Sequence, residues 1–357
     1  MKPIGILSAA LAAAFMVALS GPLQAAEQWS LPVLITDPPF DWEGKKTEGV
    51  YKSFAGSVSK KWHVCVAFPH VKDPIYLAYS YGAVQQAKDL GIKLTIVEAG
   101  GYGNLEKQVS QLEDCVAQGA DAMVVFALSP TGVNKVVDEA RGKGVVVQDC
   151  GIGINTKIDA RAVASYYQAG VTLGNYLKKK HPKGSQAVKL LWLPGPPGVS
   201  WVETTTTGLY DTLKESAVEI VKTMYGDSGK AVQLKMLEDG LQTYRDLSYV
   251  AGGAPAIEAA VPLLRETGQT DDIDLLAFYV TPGVLNGIKR GTVLGTVIEP
   301  SVMFTRLCVD QAVQALEGKK DVDAAPMLSL VDSASIKSWD KSSALAPSGW
   351  KPIFRVD

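Results

Sequence analysis

The sequence predicts an α/β protein made of two doubly wound parallel-sheet lobes joined by three hinge strands. From residue 62 onward, apolar runs of four to six residues rich in Val, Ile and Leu alternate with helical stretches, the pattern of parallel sheets covered by helices on both faces. The alternation falls into two series, each long enough for a sheet of its own. Near the end, "TVLGTVIEPSVMFTRLCVDQAVQALEGKK" supplies one further strand and helix, too little to fold alone. The economical solution is that the chain crosses back to the first lobe there and returns toward the second through "DVDAAPMLSLVD", leaving three connections and a cleft that can close round a ligand. A length of 357 residues, 47% hydrophobic and 20% charged, allows two lobes of roughly 100–200 residues each.

The chain opens on Met1 and Lys2, the apolar run "IGILSAALAAAFMVALSG" and the small-residue end "PLQAAE", the parts of a cleavable secretory signal. Residues 1–26 are expected to be removed near Ala25 or Ala26, with a retained anchor as the rival reading. Residues 27–61 carry Pro, Trp and Gly without a sustained period and read as an extended arm over the first lobe. The first series runs through strand "HVCVAF", helix "YLAYSYGAVQQAKDLG", strand "KLTIVEA", helix "LEKQVSQLEDCVAQG", strand "AMVVFAL", helix "GVNKVVDEARGKG" and strand "VVVQDCG". Gly91 and Gly119 close the first two helices, as left-handed termination favours. After "INTKIDARAVAS", the second series gives helix "YYQAGVTLGNYLKKK", strand "KLLWLPG", helix "VETTTTGLYDTLKESA" and strand "VQLKML". It ends with "TYRDLSYVAGGAPAIEAAVPLLRE", a helical stretch interrupted by a short strand, and strand "DLLAFYV". The expected lobes are 62–153 with 297–323, and 154–296 with 324–357.

A formal net charge of −2 leaves no basic footprint for nucleic acid or an anionic membrane surface. Beyond the signal no apolar run approaches the ~20 residues that span a bilayer, so no membrane insertion is expected after cleavage. Cys65, Cys115, Cys150 and Cys308 form no CxxC pair, and with His63, His70 and His181 the only histidines, neither a metal site nor a cofactor is expected. In an oxidising compartment some of the cysteines pair, while Cys150 and Cys308 read equally well as buried free thiols. No GxSxG, GxxxxGKS/T or HExxH occurs. Glu238 and Asp239 read as solvated loop acids, and His70 has no partner placed to make it a base. The chain is therefore not expected to be an enzyme.

In open parallel sheets ligands sit beyond the carboxyl ends of the strands. Strand "HVCVAF" runs toward Asp73, Tyr76 and Tyr79, the next into "GGYG" with Tyr102, and the third into Ser129. "KLLWL" runs into "PGPPGVSW" with Trp201, "LLAF" directly into Tyr279, and the crossover adds Tyr166 and Tyr167. A Gly-rich strand-to-helix turn can cradle phosphate, but "GGYG" lacks the GxGxxG spacing, which favours a turn that lifts Tyr102 into the cleft. A ring after a strand is ordinarily lobe packing, the reading retained for Tyr79 and Tyr81. Aromatic rings converging on one end suit a methylated ammonium, at roughly 0.5–2 kcal/mol per ring face, with phenol O–H groups free to donate to an oxyanion. The competing reading is a sugar receptor for an ABC permease, which needs bidentate polar side chains; Arg161 and Asp149 are its candidates.

The stretches "CVAFPHVKDPIYLAYSYG", "EAGGYGNLEKQVSQLEDC", "LPGPPG", "AFYV" and "GIKRG" resemble the TorT family. These are periplasmic proteins of the type I, sugar-type binding-protein fold that bind trimethylamine N-oxide and work with the membrane sensor histidine kinase TorS. The similarity covers residues 62 to 300. It implies that Tyr76, Tyr102, Tyr166 and Tyr279 fall where the family builds its aromatic cage, with Asp73 nearby. It further implies a small methylated-amine ligand, the periplasmic domain of a sensor histidine kinase as partner, and a Cys65–Cys115 disulfide, since both positions carry Cys in the family. Three departures stand out: Tyr76 and Tyr166 where tryptophan is expected, Ile75 where tyrosine is expected, and Trp201 after "PGPPGVS" where the family has small residues.

Overall fold

The computed structural model describes residues 28–319 and 322–357; the expected signal peptide lies outside the described residues. In the first lobe, β1 (Ser30–Asp37) and β2 (Lys45–Lys52) form a hairpin, followed by β3 (His63–Phe68), α1 (Ile75–Leu90), β4 (Lys93–Glu98), α2 (Leu105–Ala117), β5 (Ala122–Val125), α3 (Asn134–Gly142), β6 (Val146–Cys150) and the short β7 (Ala160–Ala162). The second lobe takes α4 (Tyr166–Lys180), β8 (Val188–Gly195), α5 (Ser200–Leu213), β9 (Val218–Tyr225), α6 (Lys230–Thr243), β10 (Tyr249–Gly252), α7 (Ala254–Glu266), β11 (Asp274–Ala277), α8 (Pro282–Arg290) and β12 (Gly295–Ile298). The chain then returns to the first lobe with α9 (Ser301–Leu316) and β13 (Val322–Pro326), crosses to β14 (Ser329–Asp332), and ends on β15 (Arg355–Val356).

These strands make a nine-stranded sheet, β15-β4-β3-β5-β6-β7-β13-β1-β2, and a six-stranded sheet, β14-β12-β11-β10-β8-β9. The chain crosses between them four times: from β7 to α4, from β12 to α9 through Glu299 and Pro300, from β13 to β14 through Met327 and Leu328, and from β14 back to β15, a last return beyond the three connections expected. The second lobe has one main apolar core and a small one around Leu285, Ile298 and Val331, and the first has two, in which α1 with α9 and α2 with α3 cover the sheet separately. One disulfide fastens each of the latter pair of cores: Cys65 on β3 to Cys115 on α2, and Cys150 on β6 to Cys308 on α9. The free-thiol reading of Cys150 and Cys308 is thus set aside.

Several expected elements differ. The arm is a regular hairpin, and β1 joins the sheet edge by pairing with β13, Val33 opposite Pro326; that partner is far away in sequence. "VQLKML" lies inside α6, and the strand before it is "VEIVKTMY", β9. Its apolar residues alternate, but Val232 faces solvent while Gln233, Leu237, Gly240 and Leu241 are buried at helical spacing. "YRDLS" is not helical, α6 ending at Thr243: the short strand β10 comes next and α7 begins only after it. Sheet membership also moves the lobe boundaries. β7, β13 and β15 belong to the first sheet, with Val356 opposite Leu94, whereas β12 belongs to the second. Strands of two to five residues carry too little periodicity to announce their sheet, and only their pairing decides it.

Candidate functional site

The first lobe supplies its groups from the carboxyl ends of β3 and β4. Beyond β3 the side chain of Asp73 turns back on the start of α1, its Oδ1 accepting from the Ile75 amide at 3.1 Å, where the helix N-terminus favours negative charge. Tyr76, in the first turn, brings its Oη within 3.0 Å of the Tyr102 Oη. Tyr102 is carried by the glycine turn: Gly100 has φ 88°, the Gly101 amide donates to the Pro69 carbonyl at 2.9 Å, and Asn104 Nδ2 donates to the Ala99 carbonyl at 2.9 Å. The turn thus presents a tyrosine.

The second lobe answers from the ends of β8 and β11. Trp201 stands in the first turn of α5, and its ring crowds Gly195, whose absent Cβ would lie 2.9 Å from the indole. Its Nε1 donates to the Tyr102 Oη at 3.0 Å, and Tyr279, just after β11, donates to Asp73 Oδ2 at 2.5 Å. Nearby, Lys72 Nζ and Asp227 Oδ2 pair at 2.8 Å. All three contacts cross the cleft, so the lobes are closed on one another. Tyr166, the first residue of α4, lies 6.4 Å from Trp201 between ring centroids.

Glu299, absent from the sequence-derived candidates, completes the site. It lies on the second crossover and accepts a hydrogen bond from the hydroxyl of Tyr79 on α1, with the Tyr166 hydroxyl of α4 near enough to act on its charge. The strand-end rule would have found it, because Glu299 directly follows β12, one place nearer its strand than Tyr279 is to β11. Tyr79 therefore does more than pack, while Tyr81 packs edge-on against Trp350. Asp73, Ile75, Tyr76, Tyr79, Tyr102, Phe126, Tyr166, Trp201, Ser228, Phe278, Tyr279 and Glu299 are among the walls of a cavity of about 60 Å³.

The electrostatics follow from burial. Desolvation raises the Asp73 carboxyl from its ordinary 3.8 to about 6 against the opposing Tyr279 hydrogen bond, and raises Glu299 from 4.5 to about 7 against the Tyr79 hydrogen bond and the nearby Tyr166 hydroxyl. Burial also holds the phenols of Tyr76, Tyr79, Tyr102, Tyr166 and Tyr279 above their ordinary value, so they remain neutral donors. His70, stacked edge-on near Tyr76 and Tyr102, is lowered by desolvation to about 4 and stays neutral; the cavity lining offers it no Ser or Cys nucleophile beyond Ser228, to which no hydrogen bond joins it.

Other candidates lie elsewhere. The Ser129 hydroxyl accepts from the Gly132 amide, and Tyr167 is exposed and donates to Asp211 at 3.2 Å. Arg161 is committed to Asp323 at 2.6 Å and to the Phe40 and Asp41 carbonyls, and Asp149 Oδ2 accepts from the Ile154 amide, so neither supplies a polar clamp for sugar hydroxyls in this cavity. Glu238 and Asp239 are exposed, on α6 rather than in a loop. Among the described residues no cluster of three or more His, Cys, Asp or Glu forms a metal site, and no helix is long and apolar enough to cross a membrane.

Residues 64–320 match the family described as the periplasmic binding protein domain. The chain belongs to that family. A solved ABC transporter solute-binding protein from Bradyrhizobium sp. BTAi1, with bound bis-tris, is 44% identical, with a TM-score of 0.82, over 92% of this chain and 99% of that one. The periplasmic protein TorT of Escherichia coli K12 is 27% identical over 327 residues, 91% of this chain and 93% of its own. The solved complex of TorT with the TorS sensor domain in the presence of trimethylamine N-oxide matches with 28% identity and a TM-score of 0.74, over 82% of this chain and 99% of that one. The chain is thus a periplasmic solute-binding protein of the type I, two-lobed fold.

Proposed function

We propose that this protein, exported and cleaved near Ala25 or Ala26, captures trimethylamine N-oxide or a related small methylated amine between its lobes. We propose further that it signals the closed state to the periplasmic domain of a TorS-like sensor histidine kinase. The observation that carries the ligand reading is the cavity wall: rings from both lobes surround a small space whose ionisable groups are Asp73, Glu299 and neutral phenols. Ring faces attract an ammonium, and of the paired phenols Tyr76 and Tyr102 one keeps an O–H to donate to an N-oxide oxygen, that of Tyr279 being given to Asp73. Trp201 restores from the second lobe an indole that the cage loses where Tyr76 and Tyr166 replace tryptophan. In this reading the protein binds its ligand without transforming it.

A ligand touching Tyr76 and Tyr102 on one lobe and Trp201 and Tyr279 on the other favours closure through its differential contacts. If the sensor distinguishes open from closed, ligand and sensor tighten one another equally, by about five- to 150-fold. The second reading, delivery to an ABC permease, is favoured by the 44% identical solute-binding protein; its bis-tris is itself a tertiary amine. A thermal-shift panel of trimethylamine N-oxide, betaine, choline, carnitine and simple sugars tests the ligand, because binding stabilises by about 2.7 kcal/mol at a hundred times Kd. Response to sugars alone refutes the amine reading. Equal sensor affinity with and without saturating ligand refutes affinity coupling, and binding to a permease with none to a sensor favours transport.

A further inference from the structure

We infer that the cavity selects a ligand of net positive charge, a small alkylammonium, over the neutral N-oxide and over zwitterionic betaines, and that Glu299 on the hinge is the residue that sets this preference. This rests on the amine reading and narrows it. Its basis is the inventory of the cavity wall: two buried acids, Asp73 and Glu299, and no Lys, Arg or His. Each acid is hydrogen-bonded only by a phenol or a backbone amide, Asp73 by Tyr279 and Ile75, Glu299 by Tyr79 with the Tyr166 phenol close by. Buried carboxylates ordinarily find a cation, and Lys72, the nearest to Asp73 in sequence, is taken by Asp227 outside the cavity. The missing counter-charge is the ligand. A zwitterionic betaine would bring its own carboxylate against two acids with no base to receive it, whereas an alkylammonium is held by the rings and neutralises the site.

The position of Glu299 couples charge to closure. Its side chain is hydrogen-bonded by Tyr79 of the first lobe and neighboured by Tyr166 of the second, on the connection from β12 to α9 that joins them, so a cation beside it stabilises both lobes in their closed arrangement. The groups facing it are those two phenols; those facing Asp73 are Tyr279 with Tyr76, Tyr102 and, more distantly, Glu258 on α7. Without ligand both acids take up protons at mildly acidic pH, and a bound cation expels them. Cation affinity therefore rises with pH between about 5 and 8, while N-oxide affinity, which gains from a protonated carboxyl as donor, falls over the same range.

Tetramethylammonium and trimethylamine N-oxide are close in shape and differ in charge, so they make the test. Calorimetry on the full mature protein at pH 5.5, 6.5 and 7.5 is expected to show tetramethylammonium binding at least about tenfold tighter than the N-oxide at pH 7.5, with opposite pH trends. Glu299→Gln, its fold checked by circular dichroism, should lose most of that cation preference, the ratio of tetramethylammonium to N-oxide affinity at pH 7.5 falling toward one. N-oxide binding equal to or tighter than the cation in the unaltered protein overturns the inference and leaves the amine reading standing. Binding of neither, with sugars bound instead, overturns both. An unchanged preference in folded Glu299→Gln overturns the role of Glu299.

Discussion

Replacing Tyr279 by phenylalanine removes one oxygen and keeps the ring. The lost group donates to Asp73 Oδ2 at 2.5 Å, in a contact that joins the lobes and is buried at both ends. A hydrogen bond to a charged, buried acceptor is worth about 1.5–3 kcal/mol, and this one exists only when the lobes are closed. Its loss should therefore appear in ligand affinity, as a weakening of about 10- to 150-fold, while the melting of each separate core is little changed. Asp73 would also lose the hydrogen bond that counteracts its burial, making it a poorer counter-ion. Lys72→Ala is the internal control. That ion pair also spans the cleft, but both ends are well exposed, at 39% and 40%, and such pairs contribute about 0–1 kcal/mol. Calorimetry with the best-binding amine, together with small-angle scattering to follow closure, reads both variants. Tyr279→Phe binding within twofold of the unaltered protein, or Lys72→Ala weakening binding more than Tyr279→Phe, would refute the reasoning.

Tyr102→Ala should weaken amine binding by roughly 1–3 kcal/mol, since it removes a ring face and leaves the Trp201 indole N–H without its partner, and Tyr102→Phe should cost less; unchanged calorimetric affinity in Tyr102→Ala returns Tyr102 to packing. Because burial raises Asp73 to about 6 and Glu299 to about 7, the folded ligand-free protein holds protons that the unfolded chain has released. Their contribution is thus fully present below about pH 4 and is lost as pH rises through about 7. Relative to Glu299→Gln, the unaltered protein should lose stability in urea titrations between pH 4.5 and 7.5, and a relative gain would contradict the assigned burial. Peptide mapping of exported protein should find Cys65 linked to Cys115 and Cys150 to Cys308. Sequence separations of 50 and 158 correspond to about 4 and about 5 kcal/mol of chain-entropy stabilisation at most, so Cys308→Ser should lower the denaturation midpoint markedly, and free thiols at all four positions would negate both links.

Much of this protein was legible in its sequence wherever the signal is local. Strand β3 is the run "HVCVAF", Gly91 ends α1 in the left-handed conformation, and Tyr102, Trp201 and Tyr279 stand out because residues within a few places after a parallel strand sit at the sheet's carboxyl end. What the sequence left open depends on partners far along the chain. The alternation of "VQLKML" fits a strand until the second-lobe core claims Leu237 and Leu241 for a helix. β7, β13 and β15 are too short for any period, and their sheet is decided by neighbours such as β6, β1 and β4. The same holds within the site. The order of residues brings Asp73 near α1 and Tyr279 after β11, but only closure of the lobes joins them, more than two hundred positions apart. Glu299 reads in sequence as an ordinary acid after a strand; it acquires its raised affinity for protons, and its place in the site, because Tyr79 and Tyr166 approach it from opposite lobes and exclude water. Local periodicity specifies which way each side chain faces, whereas desolvation and charge pairing are properties of the space between elements, which exists only once the two lobes have met.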